Sequence, residues 1–419
     1  MSILNSDLRM SGDREMNIVT LFLISVTLAF FAGTSSADEI DIAEHYRRTG
    51  LYVLPVRIAN ASGMGLLDTG ATHVAFHNSE NIATFQGFPL KQTRVKTQNG
   101  TLKTSVVSGV PFSTANLPEL KVDATVGDLS GLSNFAGTHL DCVVGANYLI
   151  DKIVSLNGPH CTIQTAYNGY SGTEEHFNID VRKGVPFVTC KIHGLGPQEL
   201  RIDTGNNGAI CLHANTIGLL RRMGHAVVMR KTISIDLSGR QSEQTTYVLR
   251  GIDFCGVTFA NVPVTACEYP GIGMQILRRF RLAINFLDKS LWCQPRVGGS
   301  PQAISPNASG IDLRFAGADK IVVANVRQGY VADEEDILQD DEVISVNGKF
   351  PVELSMVEIE NLMGRAGNKL RLRLRRGGNS FEVDFVTKYP FKYPPNWPPE
   401  REEFNPDAAP ERKPESEKP

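Results

Sequence analysis

The tripeptide Asp-Thr-Gly occurs at Asp68-Thr69-Gly70 and again at Asp203-Thr204-Gly205, and each copy is followed further along by an apolar segment ending in glycine. A single Asp-Thr-Gly would carry little weight, because with Gly near 7% roughly one chain in ten of this length holds one by chance. The duplication is what constrains the fold. The first copy reads Gly65-Leu66-Leu67-Asp68-Thr69-Gly70-Ala71-Thr72 and the second Leu200-Arg201-Ile202-Asp203-Thr204-Gly205-Asn206-Asn207, so an apolar residue directly precedes each aspartate. Downstream, Cys142-Val143-Val144-Gly145 answers Gly271-Ile272-Gly273, and the pairs Leu149/Leu277 and Asn157/Asn285 stand at matching distances beyond those glycines. A register kept across these segments without a gap marks an internal repeat. Asp, Thr and Gly are common turn residues, but two unrelated turns have no reason to share a downstream partner. The chain is expected to build two like halves around one shared site.

The residue types define a chemistry. Two carboxylates within about 3 Å cannot both ionise cheaply, so they share one proton and the pair titrates in two separated steps. The ionised member can take a proton from a water lying between them while the protonated member donates to a carbonyl oxygen. Asp68 and Asp203 are therefore the candidate catalytic pair, and on the repeat alone either can carry the proton. The hydroxyls of Thr69 and Thr204 can brace the opposite turn, and Gly70 and Gly205 let backbone N–H groups reach the carboxylates with no Cβ in the way.

With these residues the chain resembles the aspartic proteases over about residues 45–297. The resemblance implies a mostly-β, bilobal aspartic-protease fold, with two retropepsin-like β-barrel lobes at 38–172 and 173–298 joined in one chain as in pepsin-like enzymes. The implied activity is hydrolysis of peptide bonds in an extended peptide or protein substrate, with no cofactor, metal or covalent intermediate, by a monomeric unit. After the glycine the family has Ala, Ser or Thr, and Asn206 stands there in the second copy, where its amide can bond the outer carboxylate oxygen or distort the turn. The resemblance also implies flap hairpins over the substrate. The candidates are Asn99-Gly100, between Thr93–Thr97 and Thr101–Thr104, and Ser238-Gly239, between Thr232–Ile235 and Thr245–Val248. The alternative is a catalytically inactive protease-fold protein that binds peptides as a scaffold.

After Gly298-Gly299-Ser300-Pro301, which reads as a linker, residues 299–388 resemble a PDZ domain. The residues that carry this are Ile321–Val326, Ile337-Leu338, Glu342-Val343-Ile344-Ser345-Val346-Asn347-Gly348, a helix opened by the capping box Ser355 to Glu358, and the strands Leu370–Leu374 and Phe381–Phe385. Such domains take an extended peptide as an added strand. Ile311-Asp312-Leu313 stands where the family has its carboxylate-binding loop, so Asp312 is expected to repel a peptide C-terminus. Residues 389–419, rich in Pro and charge, are expected to be disordered.

Composition excludes some classes. A net charge of −3 with 42% hydrophobic residues gives no sign of nucleic-acid binding. The apolar run Ile18–Phe31 and the small residues Ser35-Ser36-Ala37 read as a signal peptide over 1–37, hence export to the periplasm or exterior, or anchoring if it is not cleaved. Export permits disulfides, yet seven cysteines leave at least one thiol over, and spacing fixes no pairing. His73 and His77 have the spacing of a helical metal pair but follow the turn where a strand is expected, and no Glu completes a His-Glu-x-x-His site.

Overall fold

The computed structural model describes residues 21–22, 42–78, 85, 87–97, 100–114, 117–165, 175–235, 241–296, 304, 306–316, 319–389 and 397. Among these the chain is mostly β, in four sheets, and the repeat read from sequence is visible in how strands pair. In the first half, strand Ala61–Leu67 forms a hairpin with Val53–Ile58 and runs parallel to Cys142–Gly145, with Leu66 opposite Val143 and Leu67 opposite Val144. In the second half, Gly196–Ile202 forms a hairpin with Val185–Ile192 and runs parallel to Gly271–Ile272, with Arg201 opposite Gly271 and Ile202 opposite Ile272. These are repeat-equivalent pairs.

A separate five-stranded sheet joins the halves. Its strands Ile153–Asn157 and Phe280–Asn285 pair antiparallel with Ser155 opposite Ala283, so equivalent strands meet about their own midpoint. That is a local two-fold relation. Glu175–Asn178 adds to the same sheet through Ser290–Pro295.

Alternation makes these segments strands. In Val185–Ile192 the side chains of Val188, Cys190 and Ile192 are buried while Thr189 and Lys191 face outward. Cys142–Gly145 and the ends of the aspartate-bearing strands are buried on both faces, as in central strands, and Arg201 is the charged residue among them. One apolar core, including Leu66, Phe76, Phe112, Val144, Ile202, Phe259 and Ile272, runs through both halves. The turns that deliver the aspartates therefore stand on the apolar core that the two halves share.

The fourth sheet orders Ile311–Phe315, Ile321–Val326, Glu342–Val346, Lys369–Arg376 and Asn379–Val386, with helix Met356–Gly364 over a core of its own. The capping box forms: Glu358 N–H donates to Ser355 Oγ at 3.2 Å, and Ser355 N–H donates to Glu358 Oε2 at 2.8 Å. Ile311-Asp312-Leu313 is not a loop. It lies inside the edge strand, because the turn comes earlier: Asn307 Oδ1 accepts from the N–H groups of Ser309 and Gly310 at 3.1 and 3.0 Å, and Ser309 Oγ accepts from Ile311 N–H at 3.0 Å. Asp312 turns onto Arg327, whose Nε is 2.9 Å from Asp312 Oδ2, so its charge is answered within the sheet.

Helix Ile42–Thr49 packs against both strand Ile311–Phe315 and helix Met356–Gly364. Arg47 donates to the Pro351 carbonyl at 2.9 Å and to that of Leu354, and its guanidinium lies 5.1 Å from the Phe315 ring centroid. Buried Arg278, from the second half, pairs with Glu360 on the same helix. The tail departs from expectation at Trp397, which is buried against Met229 and Val248 and donates its indole N–H to Asn261 Oδ1 at 2.5 Å. Cys255 and Cys293 form a disulfide, while Cys142, Cys161, Cys190 and Cys211 are buried thiols. Among the described residues no helix is long and apolar enough to cross a membrane.

Candidate active site

Each aspartate follows directly on a central strand, and the two turns are wired alike. Asp68 N–H donates to Val144 O at 3.2 Å and Asp203 N–H to Ile272 O at 2.8 Å. Ala71 N–H reaches Asp68 O at 3.3 Å, and Asn206 N–H reaches Asp203 O at the same 3.3 Å. The downstream glycines pack behind these turns for a steric reason. A Cβ at Gly145 would lie 2.3 Å from the His73 carbonyl oxygen, and one at Gly273 would lie 2.3 Å from that of Gly208. Neither site has room for any other residue.

The turns lock to each other through their threonines. Thr69 Oγ1 donates to Ile202 O at 2.5 Å, Thr204 Oγ1 donates to Leu67 O at 3.4 Å, and Thr69 N–H approaches Thr204 Oγ1 at 3.5 Å. Each hydroxyl thus bonds the residue that precedes the other half's aspartate, which holds the two turns face to face. Gly70 N–H donates to Asp68 Oδ1 at 3.3 Å, and Gly205 is buried in the matching turn. Both aspartates are 0% exposed.

Asn206 uses its amide oxygen within its own loop. Its Oδ1 accepts from Gly208 N–H at 2.8 Å, an Asx-type turn that shapes the loop in front of Gly273. Its backbone N–H faces Asp203 and favours the charged carboxylate.

One residue near the pair was not singled out by motif reading. Arg201 is fully buried, and its Nη2 lies 2.7 Å from Asp203 Oδ2. Burial raises the Asp203 carboxyl above the usual aspartate range, and Arg201 opposes that shift. The arginine also stands 6.0 Å from the Tyr269 ring centroid, beside Cys211 and Cys267, whose thiols point to the Tyr269 carbonyl at 3.3 and 3.2 Å. Burial holds the Cys267 thiol well above the ordinary range, while a hydrogen bond from Cys267 pulls Cys211 down. The signal was present in the repeat. Two residues before the aspartate, the first copy has Leu66 and the second Arg201.

The flap candidates fall partly outside the described residues. Strands Leu90–Thr97 and Gly100–Thr114 pair with Thr97 opposite Gly100, which puts Gly100 at the closing end of the pairing, and Asn99 lies outside the described residues. Strands Ala226–Ile235 and Gln241–Phe254 pair up to Ile235 opposite Gln241, and Ser238 and Gly239 lie outside the described residues. His77 is on strand Val74–His77, where its Nδ1 accepts from Leu129 N–H at 2.8 Å. His73 is lowered to about 4 by burial, against an opposing pull from Asp123. No group of His, Cys, Asp or Glu suited to a metal ion occurs among the described residues.

No protein-family model matches the chain, and no curated protein matches it either.

Proposed function

We propose that the chain is an exported aspartic endopeptidase of bilobal, retropepsin-like build, with a PDZ-like module at its C-terminal end. The observation that carries this reading is the reciprocal threonine bracing, in which Thr69 bonds Ile202 and Thr204 bonds Leu67. Those bonds hold the two turns that carry the buried aspartates against each other where the repeated halves meet. At that point an ionised aspartate takes a proton from water as the water oxygen attacks the scissile carbonyl, and the protonated aspartate donates to the carbonyl oxygen. The resulting gem-diol then collapses with proton transfer to the leaving amine. The two hairpins act as lids that exclude water over an extended peptide.

The PDZ-like module serves the enzyme's own body in this reading. Helix Ile42–Thr49 packs on the two elements that would wall a peptide groove, and the N–H groups of Ser309, Gly310 and Ile311 that would cradle a carboxylate already donate to Asn307 and Ser309 side chains. An inactive peptide-binding protein is the second reading, favoured by the buried Arg201–Asp203 ion pair. Cleavage of a denatured protein at acidic pH, lost on either single aspartate substitution, separates the two.

A further inference from the structure

The two halves differ at one coupled pair of positions beside the aspartates. In the first half Leu66 sits opposite Val143 on the parallel strand, and in the second the same positions hold Arg201 and Gly271. The exchange is mutual: a Cβ on Gly271 would lie 2.8 Å from Arg201 Cγ and 3.0 Å from its Nε, so the glycine vacates the space that the arginine fills. Burying an arginine is costly unless it is paired, and its pairing here is with Asp203 at 2.7 Å. The apolar pair in the first half shows that the fold does not require a charge at this place.

We propose that Arg201 is a positioning residue that breaks the equivalence of the two aspartates, holding Asp203 as the ionised carboxylate that accepts the proton of the attacking water and leaving Asp68 as the acid that protonates the scissile carbonyl. The assignment rests on the endopeptidase reading for its chemistry, but the order in which the aspartates ionise does not depend on turnover. Among the described residues, the groups that act on Asp203 are Arg201 on its own strand, the Asn206 N–H, and the thiols of Cys211 and Cys267, while Asp68 acts on the same arginine. Arg201 is the cation among them. A cation this close lowers a carboxyl by about 1–3 pH units, so its removal moves the first ionisation of the pair upward by that amount.

The test uses the full chain, with aspartate carboxyl carbons carrying a carbon-13 label and assigned through Asp68→Asn and Asp203→Asn. In the wild type, Asp203 is expected to ionise at lower pH than Asp68. In the double variant Arg201→Leu/Gly271→Val, which rebuilds the first half's pair, Asp203 titrates about 1–3 units higher, and the acid limb of kcat/KM moves up with it. Arg201→Lys keeps the charge, and its acid limb stays near that of the wild type while kcat falls, because a lysine lacks the planar fork. Asp68 ionising first in the wild type, or an Asp203 titration unmoved in the double variant, overturns the proposal. A wild type with this titration order but no peptide hydrolysis would instead sink the endopeptidase reading and leave the role of Arg201 on Asp203 standing. Should the double variant not fold, the wild-type order and the Arg201→Lys profile decide.

Discussion

His73 follows the first aspartate turn by three positions, so the pH response of that turn is tied to a histidine that the fold keeps neutral. Its folded value of about 4 lies below the ordinary 6.5, so between those values the unfolded chain binds the proton and the folded chain does not. Stability from this group is complete above pH 6.5 and is lost as pH falls toward 4. Urea unfolding at pH 7 and pH 4.5 is expected to show this loss in the wild type and a smaller one in His73→Gln. The turn residues themselves were legible, because Asp, Thr and Gly recur with their downstream glycines in register, and the structure supplies the reason in the close approach of Gly145 to His73 O and Gly273 to Gly208 O. Arg201 was not read as a partner of Asp203, since its place depends on Gly271, distant in sequence and brought alongside by parallel pairing. A comparison of the copies position by position, Leu66 with Arg201 and Val143 with Gly271, is the signal that finds it.

At the scale of elements, local signals in the chain were the readable ones. Ser355 and Glu358 announced a helix start, and alternating Leu370, Leu372 and Leu374 announced a half-buried strand, because each depends on neighbours within a turn or a pleat. The strand at Ile311-Asp312-Leu313 was misread as a loop, since the side chains that make the turn belong to Asn307 and Ser309 upstream. No local pattern could announce the docking of helix Ile42–Thr49 on helix Met356–Gly364. That contact turns on Arg47, which bonds the carbonyls of Pro351 and Leu354. Arg47→Ala is expected to cost about 1.5–3 kcal/mol, the range for hydrogen bonds to a charged group. Hydrogen exchange should then quicken in 350–364 and 42–49 while the fused core of the two halves keeps its protection; unchanged exchange in both segments would show that the contact does not depend on this arginine.

Across the whole molecule, one chain brings both aspartate turns to the same place, and the five-stranded sheet pairs Ile153–Asn157 with Phe280–Asn285 from the two halves. On the proposed reading, the chain is therefore expected to be active as a monomer. Sedimentation velocity run alongside activity on serial dilution checks this, and specific activity that fell with dissociation of a dimer would mean that the halves pair between chains. Trp397 contributes at this scale too, packing on Val248 and donating to Asn261, a contact that composition alone hid among prolines and charges. The most direct test of the proposed shared-proton site is the cleavage of a denatured protein from pH 3 to pH 8 by the wild type, Asp68→Asn and Asp203→Asn. The proposed mechanism predicts a wild-type maximum in the acidic to mildly acidic range, where the pair holds one proton, and a fall of about 10²–10⁴-fold or more in each variant, because neither carboxyl can do the other's part. Turnover near the wild-type level in either single variant would contradict it.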